Sequence, residues 1–91
     1  MYNYKLSERV ENILYKLSKK DVKLYNRILK KIEEILGSES INHYKNLRHD
    51  LKEFKRVQIG HFVLIFKFED KQNLILFDDF DHHDKIYMKG F

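Results

Sequence analysis

The 91-residue chain has no cysteine and no proline, only three glycines, and no long apolar run. Each absence removes a class of protein. Without cysteine there is no disulfide to staple a small secreted fold, and no thiolate to act as nucleophile or metal ligand. No apolar stretch approaches the roughly 18 residues needed to cross a bilayer. The opening segment "MYNYKLSERVEN" lacks the basic stretch and apolar core of a secretory leader. A cytoplasmic protein with no membrane partner is therefore expected. No linker, repeat or low-complexity segment divides the chain, and its length suffices for one core and not two. Residues 1–91 are expected to form a single domain.

What is present fits a globular protein. Hydrophobic residues make up 43% and charged residues 35% of the chain, and seven Phe and six Tyr supply large apolar area. The formal charge of +4 permits a polyanionic partner without requiring one. Its distribution is more informative than its total. Residues 78–84 hold four aspartates and no cation, so the remainder is strongly basic. The segment "SKKDVKLYNRILKK" (18–31) reads as a solvated helix face. In "HYKNLRHDLKEFKR" (43–56), by contrast, Lys45, Arg48, Lys52, Lys55 and Arg56 are interleaved with Tyr44, Phe54 and two histidines. Cations that neutralise phosphate and rings that stack on bases are the mixture that nucleic-acid contact uses.

The hydrophobic pattern predicts a short strand at "YNYKL", then a helix capped by Ser7 with Val10, Ile13, Leu14 and Leu17 on one face. A second helix is expected to start at "SKKD", with Ser18 and Asp21 as an approximate capping box, and to carry Val22, Tyr25, Ile28, Ile32 and Ile35 inward. Gly37 is expected to end it as a left-handed cap. The period then changes from helical to alternating. "FKRVQI" (54–59) sets Lys55, Val57 and Ile59 against Phe54, Arg56 and Gln58. Gly60-His61 forms a tight turn into "FVLIFKFE" (62–69), and "LILF" (74–77) reads as a covered strand. The order β-α-α-β-β-β predicts an α+β fold: one antiparallel twisted sheet with a helical hairpin packed on one face.

The stretch "FDDFDHHDKIY" (77–87) gathers four aspartates around two adjacent histidines. It could hold a metal, perform acid–base chemistry, or solvate a strand end. Neighbours on a continuing strand point to opposite faces, so His82 and His83 would not both reach one ion. No metal site is assigned.

With these residues in this order, the chain resembles the RelE/ParE superfamily of toxins from toxin–antitoxin pairs. "IGHFVLIFK" (59–67) is similar to the family's hairpin motif, and "HHDKIY" (82–87) to its terminal histidine-to-aromatic motif. Val63 and His83 stand where many RNA-cleaving members carry arginine. "HDLK" (49–52) and the histidine four positions before Tyr87 instead resemble the histidine-using, YafQ-like branch. The resemblance implies a site of His49, His61, His83 and Tyr87, with Arg48, Lys52, Arg56 and Lys45 on RNA phosphates. It implies ribosome-dependent mRNA cleavage by 2′-OH attack on the adjacent phosphate, with no cofactor, and a cognate antitoxin, the ribosome and mRNA as partners. Two alternatives stay open: a ParE-like gyrase poison, and a catalytically inactive binding relative.

Overall fold

A computed structural model describes residues 2–48 and 51–89, the side chains of Arg48, Leu51 and Lys52 excepted. The first strand, β1 (Asn3–Leu6), leads into helix α1 (Glu8–Lys20) and helix α2 (Val22–Leu36). Ser7 caps α1 as the sequence predicts, its hydroxyl accepting from the Val10 N–H at 3.1 Å. The second cap differs from expectation. Ser18 lies inside α1 and donates back to the Tyr15 carbonyl. Asp21 alone separates the helices, its carboxylate accepting from the Leu24 N–H. Gly37 ends α2 at φ −89°, not in the left-handed region, because its N–H simply continues the helical ladder to Glu33.

Among the described residues the sheet has five strands in the order β1-β5-β4-β3-β2, with β2 Asn46–Arg48, β3 Leu51–Ile59, β4 Phe62–Glu69 and β5 Leu74–His82. The turn joining β3 to β4 is made by Gly60 at φ +63°, a conformation glycine adopts without a Cβ penalty. The neighbours β2 to β5 run antiparallel, whereas β1 pairs parallel with β5 at the other side of the sheet. That edge departs from the all-antiparallel expectation. A strand followed by a helical pair returns to the sheet in either direction, and apolar alternation does not encode which. Strand β2 was also unanticipated, and β3 begins three residues earlier than its alternation indicated.

The helical hairpin covers one face. Val10, Leu14, Ile28, Ile32 and Ile35 pack with Ile59, Leu64, Phe66, Ile75, Phe77 and Phe80, and Leu17 joins them partly buried. This is the packing that the helical stripes predict. The opposite face carries a smaller cluster in which Leu47, Val63, Ile65 and Ile86 are buried with Phe54 and Tyr87 against them. Strand β4 is therefore covered on both sides, which explains its nearly unbroken apolar run.

One irregularity sets the end of β5. Phe66 pairs with Phe77 and Ile65 with Asp79, so Asp78 is an extra residue in the ladder. In a regular strand Phe77 and Phe80, three apart, would face opposite sides. The bulge puts both into the hairpin core and sends Asp79 and Asp81 to the other face, across from Ile65 and Val63.

Candidate functional site

Beyond Phe77, strand β5 outruns β1 and, among the described residues, has no strand on that side. The aspartates compensate. Asp79 accepts from the Phe80 N–H and Asp81 from the His82 N–H, both at 2.8 Å. Each also binds two cations, one from far along the chain and one from the turn that follows. Arg9 of α1 reaches Asp79 at 2.6 Å and Asp81 at 3.0 Å, and Lys89 reaches them at 2.7 Å and 3.0 Å. Two carboxylates and two cations thus form a closed square that ties the last described turn to β5 and to the start of α1.

The titration behaviour follows from that geometry. Burial disfavours ionised Asp79, but hydrogen bonds from Lys89, Arg9 and the Phe80 N–H outweigh it and hold the carboxyl below its usual range. Asp81 is lowered in the same manner, burial being overcome by Lys89, the His82 N–H and Arg9. Asp78 moves the other way, raised by burial and by the adjacent charge of Asp79. A carboxyl lowered in the folded state contributes stability above the unfolded value, about pH 4, which is lost as pH falls through the folded value. Asp78, being raised, opposes this trend in part. The melting temperature is therefore expected to fall on acidification below about pH 4, and Asp79→Asn to flatten that fall. Parallel acid profiles for the two proteins would remove the square from the account.

The strand ends at His82, and His83–Ile86 forms a single helical turn, α3. His82 caps it, Nδ1 accepting from the Asp84 N–H at 3.3 Å. Its ring lies 5.8 Å from Phe62 and stacks on His61 at 6.3 Å with 13° between planes. His83 turns away from them. Its ring lies 4.9 Å from Tyr87, four residues on, and Tyr87 in turn packs against the Val63–Ile65–Ile86 cluster. The two adjacent histidines do separate, though by a strand-to-helix turn and not by continued strand alternation. The Asp84 carboxylate stands between them, 3.8 Å from His82 Nδ1 and 3.6 Å from His83 Nδ1.

The expected site residues are thus divided. His83 and Tyr87 meet on the face opposite the hairpin. Arg56 pairs across from Ile65 and shares that face, its Nε donating to the Asn46 carbonyl at 3.2 Å. Lys45 is exposed just before β2, its carbonyl accepting from the Arg56 N–H. His61 is not with His83: only its carbonyl meets His83, accepting from the His83 N–H, while its ring goes to His82. His49 lies outside the described residues, as do the side chains of Arg48 and Lys52. Sequence reasoning missed Lys67, which stands 5.7 Å over the Phe54 ring on the His83 face. The alternation of β4, which puts 63, 65 and 67 together, could have supplied it. Among the described residues no three His, Asp or Glu side chains converge as metal ligands, and no helix is long and apolar enough to cross a membrane.

No family model matches the chain. A protein of Methanocaldococcus jannaschii described as "Putative toxin RelE4" is 49% identical over 90 residues, covering 98% of this chain and 94% of the relative. Among solved structures, a metal-bound toxin from Helicobacter pylori superposes with a TM-score of 0.72 at 18% identity, over 93% of this chain and 98% of that one. The intact E. coli RelBE toxin–antitoxin complex contains a chain matching at 0.71 and 17% identity, over 90% and 96%. YafQ from E. coli matches at 0.64 and 19% identity, over 96% and 99%. The structures share the fold, and the M. jannaschii relative settles kinship. The chain belongs to the RelE family of toxins of toxin–antitoxin systems.

Proposed function

We propose that this toxin is a metal-independent endoribonuclease that cuts mRNA on the ribosome. The observation that supports this reading most is the His83–Tyr87 ring pair, held on an apolar sheet face that also carries Arg56 and Lys67. Cleavage by internal transfer forms the 2′-O–P bond and breaks the P–O5′ bond, leaving a 2′,3′-cyclic phosphate and a 5′-hydroxyl. The reaction needs a base for the 2′-OH, cations for the charge developing on phosphate, and an acid for the departing oxygen. An imidazole with an ordinary pKa of about 6.5 can serve as either proton carrier at neutral pH. His83 takes that role, with Arg56 and, from the sequence, Arg48, Lys52 and Lys45 on phosphate. Tyr87 stacks on a base or orients a hydroxyl.

A cognate antitoxin is the partner this reading calls for, in keeping with the RelBE complex that shares the fold. Its acidic residues would compete with RNA for the cations of 43–56. Induction of the toxin in cells, followed by primer extension on a reporter mRNA, tests the proposal. New 5′ ends within the translated region are expected, and coexpressed antitoxin should abolish them. Intact mRNA accompanied by loss of DNA supercoiling activity would favour the gyrase-poisoning alternative.

A further inference from the structure

Outside the His83–Tyr87 face, the densest group of cations lies on α2. Lys23, Arg27, Lys30 and Lys31 are spaced i, i+4, i+7 and i+8 and so fall along one stripe of the helix. The stripe borders a groove whose other wall is the end of β3 and the β3–β4 turn. At one end Lys23 and Arg27 line it with Ile59, Gly60 and His61, and at the other Arg27, Lys30 and Lys31 line it with Gln58 and Ile59. Arg27 and Ile59 line both parts, so the two lie side by side along the helix. The turn glycine sits against Arg27: a Cβ on Gly60 would be in ordinary van der Waals contact with the Arg27 guanidinium, 3.4 Å away.

The acids beside this groove are already engaged. Asp21 caps α2, and Glu34 pairs with Lys31 at 2.9 Å. Lys23, Arg27 and Lys30 are exposed and form no ion pair among the described residues. At one end the groove is lined by His61 and Phe62; the His61 ring stacks on His82, which Phe62 meets edge-on. A row of free cations leading to a ring platform complements a charged backbone that carries flat bases.

We propose that this groove binds the phosphodiester backbone of RNA, with Lys23, Arg27 and Lys30 on phosphates and the His61–His82 pair as a stacking platform. The contact is additional to the cleavage site and on the other face of the sheet. The two adjoin where His82 ends β5 and His83 begins α3.

The test is fluorescence anisotropy of the full chain with a labelled single-stranded RNA carrying 2′-O-methyl sugars. Such RNA cannot be cut by 2′-OH attack, so binding is read whether or not the chain is a ribonuclease. The triple variant Lys23→Gln/Arg27→Gln/Lys30→Gln alters only exposed side chains and should keep the parent's melting temperature. It should bind at least about 10-fold more weakly at low salt, and the slope of log K against log salt should shrink by about 2, near 0.7 per lost phosphate contact. His61→Ala should weaken binding roughly 5-fold or more with the slope unchanged, since a ring releases no counterions. Unchanged affinity and slope in the triple variant would overturn the proposal. So would retained RNA binding together with lost binding of an acidic antitoxin peptide, which would assign the groove to the partner.

Discussion

His83→Ala is expected to lower mRNA cleavage by roughly 10²-fold or more, the usual contribution of a positioned general acid or base. His82→Ala should leave most of the rate at saturation in place, the loss of its stacking contact with His61 raising only the substrate concentration needed. The two residues are chemically identical and adjacent, so the contrast rests on geometry alone. His83 begins α3 and places its ring beside Tyr87, on the face that holds Arg56. His82 ends β5 and places its ring among Phe62 and His61, on the hairpin side. Losing His82 removes the α3 cap, which costs about 1 kcal/mol of local stability and not a proton carrier. Initial cleavage rates at saturating mRNA-programmed ribosomes, measured above and below neutral pH, separate the cases. If both variants lose activity equally, a shared role for the pair replaces the assignment to His83. If both cleave normally, the general acid–base lies elsewhere.

Phe66→Ala should cost about 3–5 kcal/mol in stability, a large part of the roughly 5–15 kcal/mol that holds a domain of this kind together. Phe66 is fully buried on β4, the central strand of the order β1-β5-β4-β3-β2. Its ring meets Tyr44 edge-on at 5.5 Å and Phe77 at 6.0 Å, with the hairpin's isoleucines above. Removing it takes away the transfer energy of the ring and leaves a void lined by groups that cannot all close in. Met88→Ala, at a residue 85% exposed, should stay within about 0.5 kcal/mol. Urea unfolding monitored by circular dichroism reads both. A Phe66→Ala loss below about 1 kcal/mol would mean that the core repacks freely and that β4 is not its centre.

The parts of this fold that were legible in the sequence are those governed by period. Val10 and Leu14, or Ile28, Ile32 and Ile35, declare a helix face at sight, and Lys55, Val57 and Ile59 declare a strand face even though one of them is charged. Lys55 is indeed buried on the core side, its ammonium satisfied by the Asn46 amide oxygen at 2.6 Å. Three residues such as "NLR" show no period, so β2 was hidden. The parallel pairing of β1 was hidden for another reason, because direction is a property of the chain's path. At the site, alternation predicted that His82 and His83 part, though a strand-to-helix turn is what parts them, and the family resemblance put His83 and Tyr87 in one site. It did not separate His61 from them, since a turn residue's ring can fall to either side. The Arg9–Asp79 pair spans 70 positions and leaves no local mark. Only the D-x-D spacing of Asp79 and Asp81 hinted that two carboxylates shared a face and therefore needed cations.

The parallel pairing of Asn3–Leu6 with Leu74–Phe77 carries a consequence for how the toxin is made. Synthesis runs from one end, so the first strand emerges long before its partner exists. Most of the sheet's closure waits for residues 74–82, and the square of Arg9, Asp79, Asp81 and Lys89 waits longer still. Contacts of such high sequence separation form late and slowly compared with the helical hairpin, which can assemble from its own neighbours. A nascent chain therefore passes through a stage with its helices formed and the sheet still lacking β5. The topology thus makes β5 the strand that completes the sheet, whatever helical structure has formed before it.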